Sequence, residues 1–364
     1  MNRKPRILFL CQYPHGGSPG QRFRFEQYLS ILEAHGYDVR QEPFMDDATR
    51  RIINQPGHMA SKVTGVLRGF VRRFALLREV RDFDFVFVHL EAAPIGPPVI
   101  EAALLAMGKK VIYDIDDLIF VARTQPENRL AAPLRWRSKV AWTARHAHRV
   151  VGVNPFLVEW ARQHNSEVRL IPTTIDPAHH RPRPHGTAAR LPVLGWTGTR
   201  TTAPYLDVVR EALDELSRTR EFALRVICDR DPGFHLRHYE FVPWREETEI
   251  EDLWPIDIGL MPVANDGFSM GKVGFKAIQY SALEIPPVVS DVGSGREVVD
   301  DGVTGIVVPN ETAAWVAALQ RLLDDPDERQ RLGKAARAKI LGKYSVPAQT
   351  ENFLGLFTEE RTQP

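Results

Sequence analysis

Lys272 and Lys276 stand four residues apart in Ser-Met-Gly-Lys-Val-Gly-Phe-Lys-Ala-Ile-Gln-Tyr-Ser-Ala, residues 269–282. On a helix, that spacing puts two ammonium groups on one face, and Gln279 extends the face by a further turn. Gly271 and Gly274 strip β-carbons from the helix entry, so a ligand can approach its free N–H groups closely. Positive charge beside a positive helix end suits a phosphate or a diphosphate. Residues 286–295, Pro-Pro-Val-Val-Ser-Asp-Val-Gly-Ser-Gly, then read as a short buried strand and a flexible loop bearing Gly293, Ser294 and Gly295. Turn, helix, strand and loop in that order meet at the carboxyl end of a parallel sheet, where ligands bind. The plain alternative for the lysines is a solvated helix face.

Carboxylates, histidine and arginine gather in the first half. Residues 110–117 form a strand that ends in Asp114, Asp116 and Asp117, an acidic cluster of a kind that can hold Mg²⁺. The strand before it, residues 83–90, delivers His89 and then Glu91. A glycine loop at 15–20, containing Gly17, precedes Arg22 and Arg24, which could serve an anionic acceptor or simply sit in a solvated helical turn. In the second half a strand runs into Gly195-Trp196-Thr197-Gly198-Thr199, with Arg200 as the nearby cation.

The elements that must position these groups follow from periodicity. Residues 6–10 are a continuous apolar run, the mark of a parallel strand covered on both faces. A helix from about Gln21 carries Phe25, Tyr28, Leu29 and Leu32 on one face and stops at Gly36. Residues 62–81 read as a helix with Val63, Val66, Leu67, Phe70, Phe74 and Leu77 packed inward and Lys62, Arg68, Arg72, Arg73 and Arg78 outward. A basic amphipathic helix is either a surface helix of the sheet or one that lies on an anionic membrane. Strands at 224–228 and 256–261, a hairpin and strand at 302–309, and helices at 313–323, 326–343 and 346–358 complete the second half. At 364 residues two domains are expected: 1–178, a linker at 179–190 rich in Pro, His and Arg, and 191–344, with 345–364 returning to the first domain.

Composition is that of a water-soluble globular chain, 43% apolar and 26% charged with a net charge of +1, which carries no nucleic-acid signal. Cys11 and Cys228 lie too far apart in sequence to suggest a disulfide framework, so a reducing cytoplasm is expected. No apolar run is long enough to span a membrane, and the apolar stretch near the N-terminus is too short for a signal peptide.

The segment 269–295 resembles the donor-binding segment of family 4 retaining glycosyltransferases. The family's usual Glu-x7-Glu-Ala-Met-Ala-x-Gly-x-Pro-Val-Val pattern is matched at Ala282, Pro286 and the following valines, while its two glutamates fall on Gly271 and Gln279. A bacterial subgroup with Gly-Lys-x-Gly-Phe-Lys-x-x-Gln-Tyr-Met-Ala is matched closely. Arg149–Pro155, Val168–Asp176 and Gly302–Pro309 resemble further family segments. The resemblance implies the GT-B fold, an α/β architecture of two Rossmann-like domains facing a cleft, with the C-terminal helix crossing back to the first. It implies transfer of a sugar from a nucleotide-diphosphate sugar to an acceptor with retained anomeric configuration, without metal or other cofactor. Gly17, Gly198, Arg200, Gly271, Gly274, Gln279, Gly293, Ser294 and Gly295 would then hold the donor. Asp116, at the family's sugar-contacting His position, joins Lys272 and Lys276 as catalytic, and Arg22, Arg24, His89 and Asp117 face the acceptor. Peripheral association with the inner face of the membrane is compatible with this reading. Two other classes share the pattern: a non-catalytic nucleotide-sugar-binding or scaffold subunit with a degenerate donor site, and a nucleotide-sugar epimerase of the same fold.

Overall fold

The structure is a computed structural model, and we describe residues 3–121, 134–183, 191–267 and 269–358. The expected linker therefore lies partly, at 184–190, outside the described residues, as do residues 359–364 of the returning segment. The chain divides into two compact units: residues up to Thr173 together with those from Gln349 onward, and Thr174–Ala348. The division falls before 178 because Ile175 already belongs to the second unit. Its N–H donates to the carbonyl of Tyr344 at 2.9 Å, and its own carbonyl accepts from Val346 at 3.0 Å.

In the first unit the strands are β1 (Arg6–Cys11), β2 (Asp38–Pro43), β3 (Phe85–His89), β4 (Lys110–Ile115), β5 (Arg149–Gly152) and β6 (Val168–Leu170). They form a parallel sheet in the order β2-β1-β3-β4-β5-β6. Strand direction from β1 branches both ways, so the crevice beside the carboxyl ends of β1 and β3 is the natural ligand position. Continuous apolar runs such as Ile7–Cys11 are buried along their whole length, as strands covered on both faces require. Phe353 and Phe357 complete this core: Phe353 stacks on Tyr28 with centroids 4.2 Å apart, and Phe357 packs against Phe9 and Phe85. Arg149 fixes that terminal segment by donating to the carbonyls of Gly355 and Leu356, both at 2.8 Å.

The second unit repeats the plan with β7 (Val193–Thr197), β8 (Ala223–Cys228), β9 (Tyr239–Pro243), β10 (Ile258–Met261), β11 (Pro287–Ser290) and β12 (Ile306–Val308). These are parallel in the order β12-β11-β10-β7-β8-β9, and the branch point lies between β7 and β10. Among the described residues no helix is long and apolar enough to cross a membrane.

Two helices of the first unit differ from the sequence reading. The expected helix from Gln21 is broken into Pro19–Arg22, a 3-10 turn Glu26–Tyr28 and Leu29–Ala34. Gln21 and residues 23–26 are all buried, more than one side of a regular helix can hide. The break turns Gln21, Arg24 and Glu26 inward, where each finds polar partners. The helix expected at 62–81 spans Met59–Leu76, and its faces are shifted: Lys62, Gly65, Gly69, Arg73 and Leu76 are buried, Val66 and Phe70 pack inward as expected but are only partly buried, and Val63, Leu67 and Phe74 are exposed.

Candidate functional site

The second unit assembles its site at the carboxyl ends of β7, β10 and β11. The helix that follows β10 starts at Phe275, because Gly274 adopts the left-handed conformation (φ 70°, ψ 22°) at its N-terminal boundary. Lys272 therefore precedes the helix and does not share a helical face with Lys276 and Gln279; it lies in the turn after the short 3-10 segment Ser269–Gly271. Tyr280 anchors the helix to the sheet. Its hydroxyl accepts from the N–H of Thr197 at 3.0 Å and donates to the carbonyl of Leu260 at 3.4 Å. The ring reaches this position only because residue 259 is glycine: a β-carbon there would come within 2.3 Å of it.

Held this way, the Lys276 ammonium lies 5.4 Å from the centre of the Trp196 ring. Burial first, and the neighbouring Lys272 charge second, pull Lys276 down to about 8. No carboxylate offsets that fall. Two like charges beside a helix N-terminus, one of them depressed by the other, would be relieved by a bound anion.

The glycine loop after β11 supports this turn from behind. Gly293 (φ 62°) is crowded by the Ser269 carbonyl, 2.4 Å from where a β-carbon would be, and Gly295 by the Ser290 carbonyl at 2.8 Å. Ser294 donates its hydroxyl to the Lys272 carbonyl and is buried. Gly293 and Ser294 thus shape the lysine turn through its own backbone, while Gly295 packs against the end of β11. Gly198 is likewise demanded by the Trp196 ring, 2.4 Å from the position of a β-carbon. Gln279 is buried on the same helix. Arg200 is drawn aside on the surface, with its guanidinium 3.9 Å from Asp229. Trp196, Tyr280 and Tyr205, whose hydroxyl accepts from Ser269 Oγ at 3.4 Å, carry no functional signal of their own in the sequence. The Gly-Trp-Thr-Gly turn was the available signal for Trp196.

The first unit carries a separate polar chain at the ends of β3 and β4. Arg24, expected to face an acceptor, is buried. It donates to Asp114 at 2.6 and 3.0 Å, and to the carbonyl of Ile171. Its role is to neutralise Asp114, because an unpaired buried carboxylate would be expensive. The other oxygen of Asp114 meets His89 Nδ1 at 2.8 Å, and His89 Nε2 lies 3.9 Å from Asp116. Burial opposes charge on Asp114, but Arg24 and His89 outweigh it and hold its pKa below the usual carboxylate range. Burial likewise opposes a charged His89, yet Asp116 and Asp114 raise it above an ordinary imidazole. Asp116 is pushed up to about 6, chiefly by burial. With Asp114 spent on Arg24 and His89, the three aspartates do not converge as a cation cage. Asp117 accepts from the Leu118 N–H, and Arg22 lies over the Phe23 ring, both partly exposed. Gly17 belongs to a tight turn: its N–H donates to the Pro14 carbonyl at 2.8 Å, and a β-carbon would meet that oxygen at 2.6 Å.

Residues 236–339, which include the lysine turn and the Gly293–Gly295 loop, match the family described as glycosyl transferases group 1. Over 89 residues the chain is 34% identical to an alpha-D-kanosaminyltransferase of Streptomyces kanamyceticus, covering 24% of this chain and 23% of that one. Over 213 residues it is 28% identical to a D-inositol 3-phosphate glycosyltransferase of Nocardia farcinica, covering 51% and 46%. It thus spans less than half the length of either curated relative. Among solved structures, a sucrose-phosphate synthase from Thermosynechococcus elongatus superposes with a TM-score of 0.68 over 98% of both chains at 17% identity. Anabaena HepE in complex with UDP-glucose superposes with a TM-score of 0.67, over 96% of this chain and 98% of that one, at 14% identity. The fold is GT-B, two Rossmann-like domains.

Proposed function

We propose that this protein transfers a sugar from a nucleotide-diphosphate sugar to an acceptor, with retention of anomeric configuration and without a catalytic metal. The observation that carries the reading is the lysine turn: Lys272 and Lys276 at the start of the Phe275–Ala282 helix, buttressed by Ser294, inside the segment that matches the family. The bond to be broken leaves charge on the departing diphosphate. Preorganised ammonium groups and the helix N-terminus stabilise that charge as it grows, at no reorganisation cost. A diphosphate is a good leaving group, so no general acid is needed, and its departing oxygen can take the proton of the acceptor. Asp116 contacts the sugar or the acceptor, held with His89 by the Arg24–Asp114 pair. Gln279 contributes amide hydrogen bonds to the ribose where a glutamate would add charge. The UDP-glucose complex of the structurally similar HepE supports a nucleotide-sugar donor.

The test is calorimetric titration with UDP, GDP, ADP, CMP and dTDP, repeated on Lys272→Ala and Lys276→Ala. One nucleotide should bind selectively and lose affinity in both variants. Its sugars are then offered with candidate acceptors, and the product's anomeric configuration is read by NMR with and without chelator. Binding without turnover would assign the chain to a non-catalytic nucleotide-sugar-binding subunit. Absence of any nucleotide binding would sink the reading.

A further inference from the structure

The helix Met59–Leu76 is amphipathic the wrong way round for a surface helix. Its buried side is made of Lys62, Gly65, Gly69, Arg73 and Leu76. The glycines bring its backbone close to the strand-end segment beneath: β-carbons at 65 and 69 would stand 2.2 Å from Thr49 Oγ1 and 2.6 Å from the Phe44 ring. Arg73 is buried and donates to three carbonyls, those of Ala92 at 2.8 Å, Glu42 at 2.9 Å and Cys11 at 2.8 Å. Lys62 donates to the carbonyl of Gln55 at 2.5 Å. Val66 and Phe70 pack at the edge of this side against Phe44 and Met45, and, Leu76 apart, the other apolar residues point away. Met59, Val63, Leu67, Val71 and Phe74 are between 50 and 69% exposed. They form a stripe on the order of 20 Å long at the rise of an α-helix.

The helix itself carries only positive charge, and the acidic neighbours lie at the start of the adjacent Asp47–Ile53 helix, where Asp46 pairs with Arg72 at 3.6 Å. No Asp or Glu occurs between Asp47 and Glu79. Arg50, Arg51, Arg68 and Arg78 are exposed in that interval. A folded protein seldom leaves a contiguous apolar surface of this kind uncovered without a use for it.

We propose that this face docks on the surface of an anionic lipid bilayer, with the apolar stripe in the headgroup–acyl boundary and the arginines on the lipid phosphates. An interfacial helix needs both contributions, an apolar face and predominantly basic flanks, and both are present here. A second copy of the chain is a poor occupant, because a self-complementary contact would set the arginine flanks against each other with no carboxylate between. The inference does not depend on sugar transfer. It concerns a face of the first unit and is read without donor or acceptor.

Flotation of the full chain with phosphatidylcholine vesicles, with and without phosphatidylglycerol, tests it. Binding is expected only to the anionic vesicles and should weaken as salt is raised. The Val63→Ser, Leu67→Ser, Phe74→Ser triple variant should lose at least about tenfold in partitioning. Arg68→Gln with Arg78→Gln should lose on the order of tenfold at low salt. All these positions are exposed, so thermal melts should match the parent, and a variant that fails to melt cooperatively is replaced by Leu67→Ser alone. The proposal is overturned if the parent ignores anionic vesicles or if the variants bind as well as the parent. Sedimentation showing a parental dimer that the triple variant converts to monomer would also overturn it, by giving the face to a second copy.

Discussion

Lys276→Met should make the folded protein more stable and a poorer binder of nucleotide. The lysine falls from 10.5 to about 8 on folding because burial and Lys272 disfavour its charge. A fall of that size corresponds to about 3 kcal/mol opposing folding below the folded value, where the group is charged in both states. The side chain is only half-buried, so solvent screening reduces the gain expected from removing the charge to about 1–2 kcal/mol. Methionine keeps an unbranched apolar stem against Trp196. The sign follows from proton counting. Between about pH 8 and 10.5 the native state binds fewer protons than the unfolded chain, so the lysine's unfavourable contribution fades as pH rises. The variant's advantage should therefore be full near pH 7 and gone by about pH 11. Urea denaturation at both pH values measures it, with the parent–variant difference cancelling the other groups that titrate. A bound diphosphate would restore the charge, so nucleotide binding to the parent near pH 8–9 should take up a proton. Calorimetry in two buffers of different ionisation enthalpy detects that uptake, and the variant should lack it. A variant less stable than the parent near pH 7, an equal gain at both pH values, or unchanged nucleotide affinity would each refute the electrostatic account of this turn.

Gly274→Ala places a β-carbon at φ 70°, 3.1 Å from Val298 and 3.2 Å from Ser294 Oγ, so it should cost at least about 1 kcal/mol in urea unfolding and weaken nucleotide binding with it. Arg24→Met leaves Asp114 buried with His89 as its remaining charged partner, so stability should fall by about 3–5 kcal/mol; an Arg24 that served only an acceptor would leave stability unchanged. Because Arg24 works against charge on His89, any folded Arg24→Met protein should also titrate His89 higher, which NMR would show. Asp116, raised from 3.8 to about 6, binds its proton more tightly when folded, so its contribution to stability declines as pH rises from about 4 to 6. Asp116→Asn should flatten that decline in a pH series of urea midpoints, and a parallel pair of curves would show that the carboxyl is not held in this environment.

The alternation of short apolar strands with helices was legible because a strand buried on both faces must be a continuous apolar run, and Ile7–Cys11 and Pro287–Val289 are such runs. The lysine turn was legible as a phosphate-type element from its glycines and charges, but its helix phase was not. Whether a helix begins at Gly271 or after Gly274 depends on one positive φ, which the Tyr280 anchor to Thr197 and Leu260 fixes from outside the segment. The Arg24–Asp114–His89 chain joins residues 90 and 25 positions apart, and nothing local announces such a pairing. The helix at 59–76 marks the sharper limit. Its sequence contains two interleaved stripes, one apolar and one of glycines, Lys62 and Arg73, and the hydrophobic effect alone selects the apolar one for the interior. The structure buries the other and leaves Val66 and Phe70 at the boundary, because carbonyls at the ends of β1 and β2 and at Ala92 need donors there and Arg73 supplies three. Backbone acceptors leave no side-chain signature in a sequence. A buried arginine that answers them, and an apolar face displaced outward as a result, can be read only once the strand ends are in place.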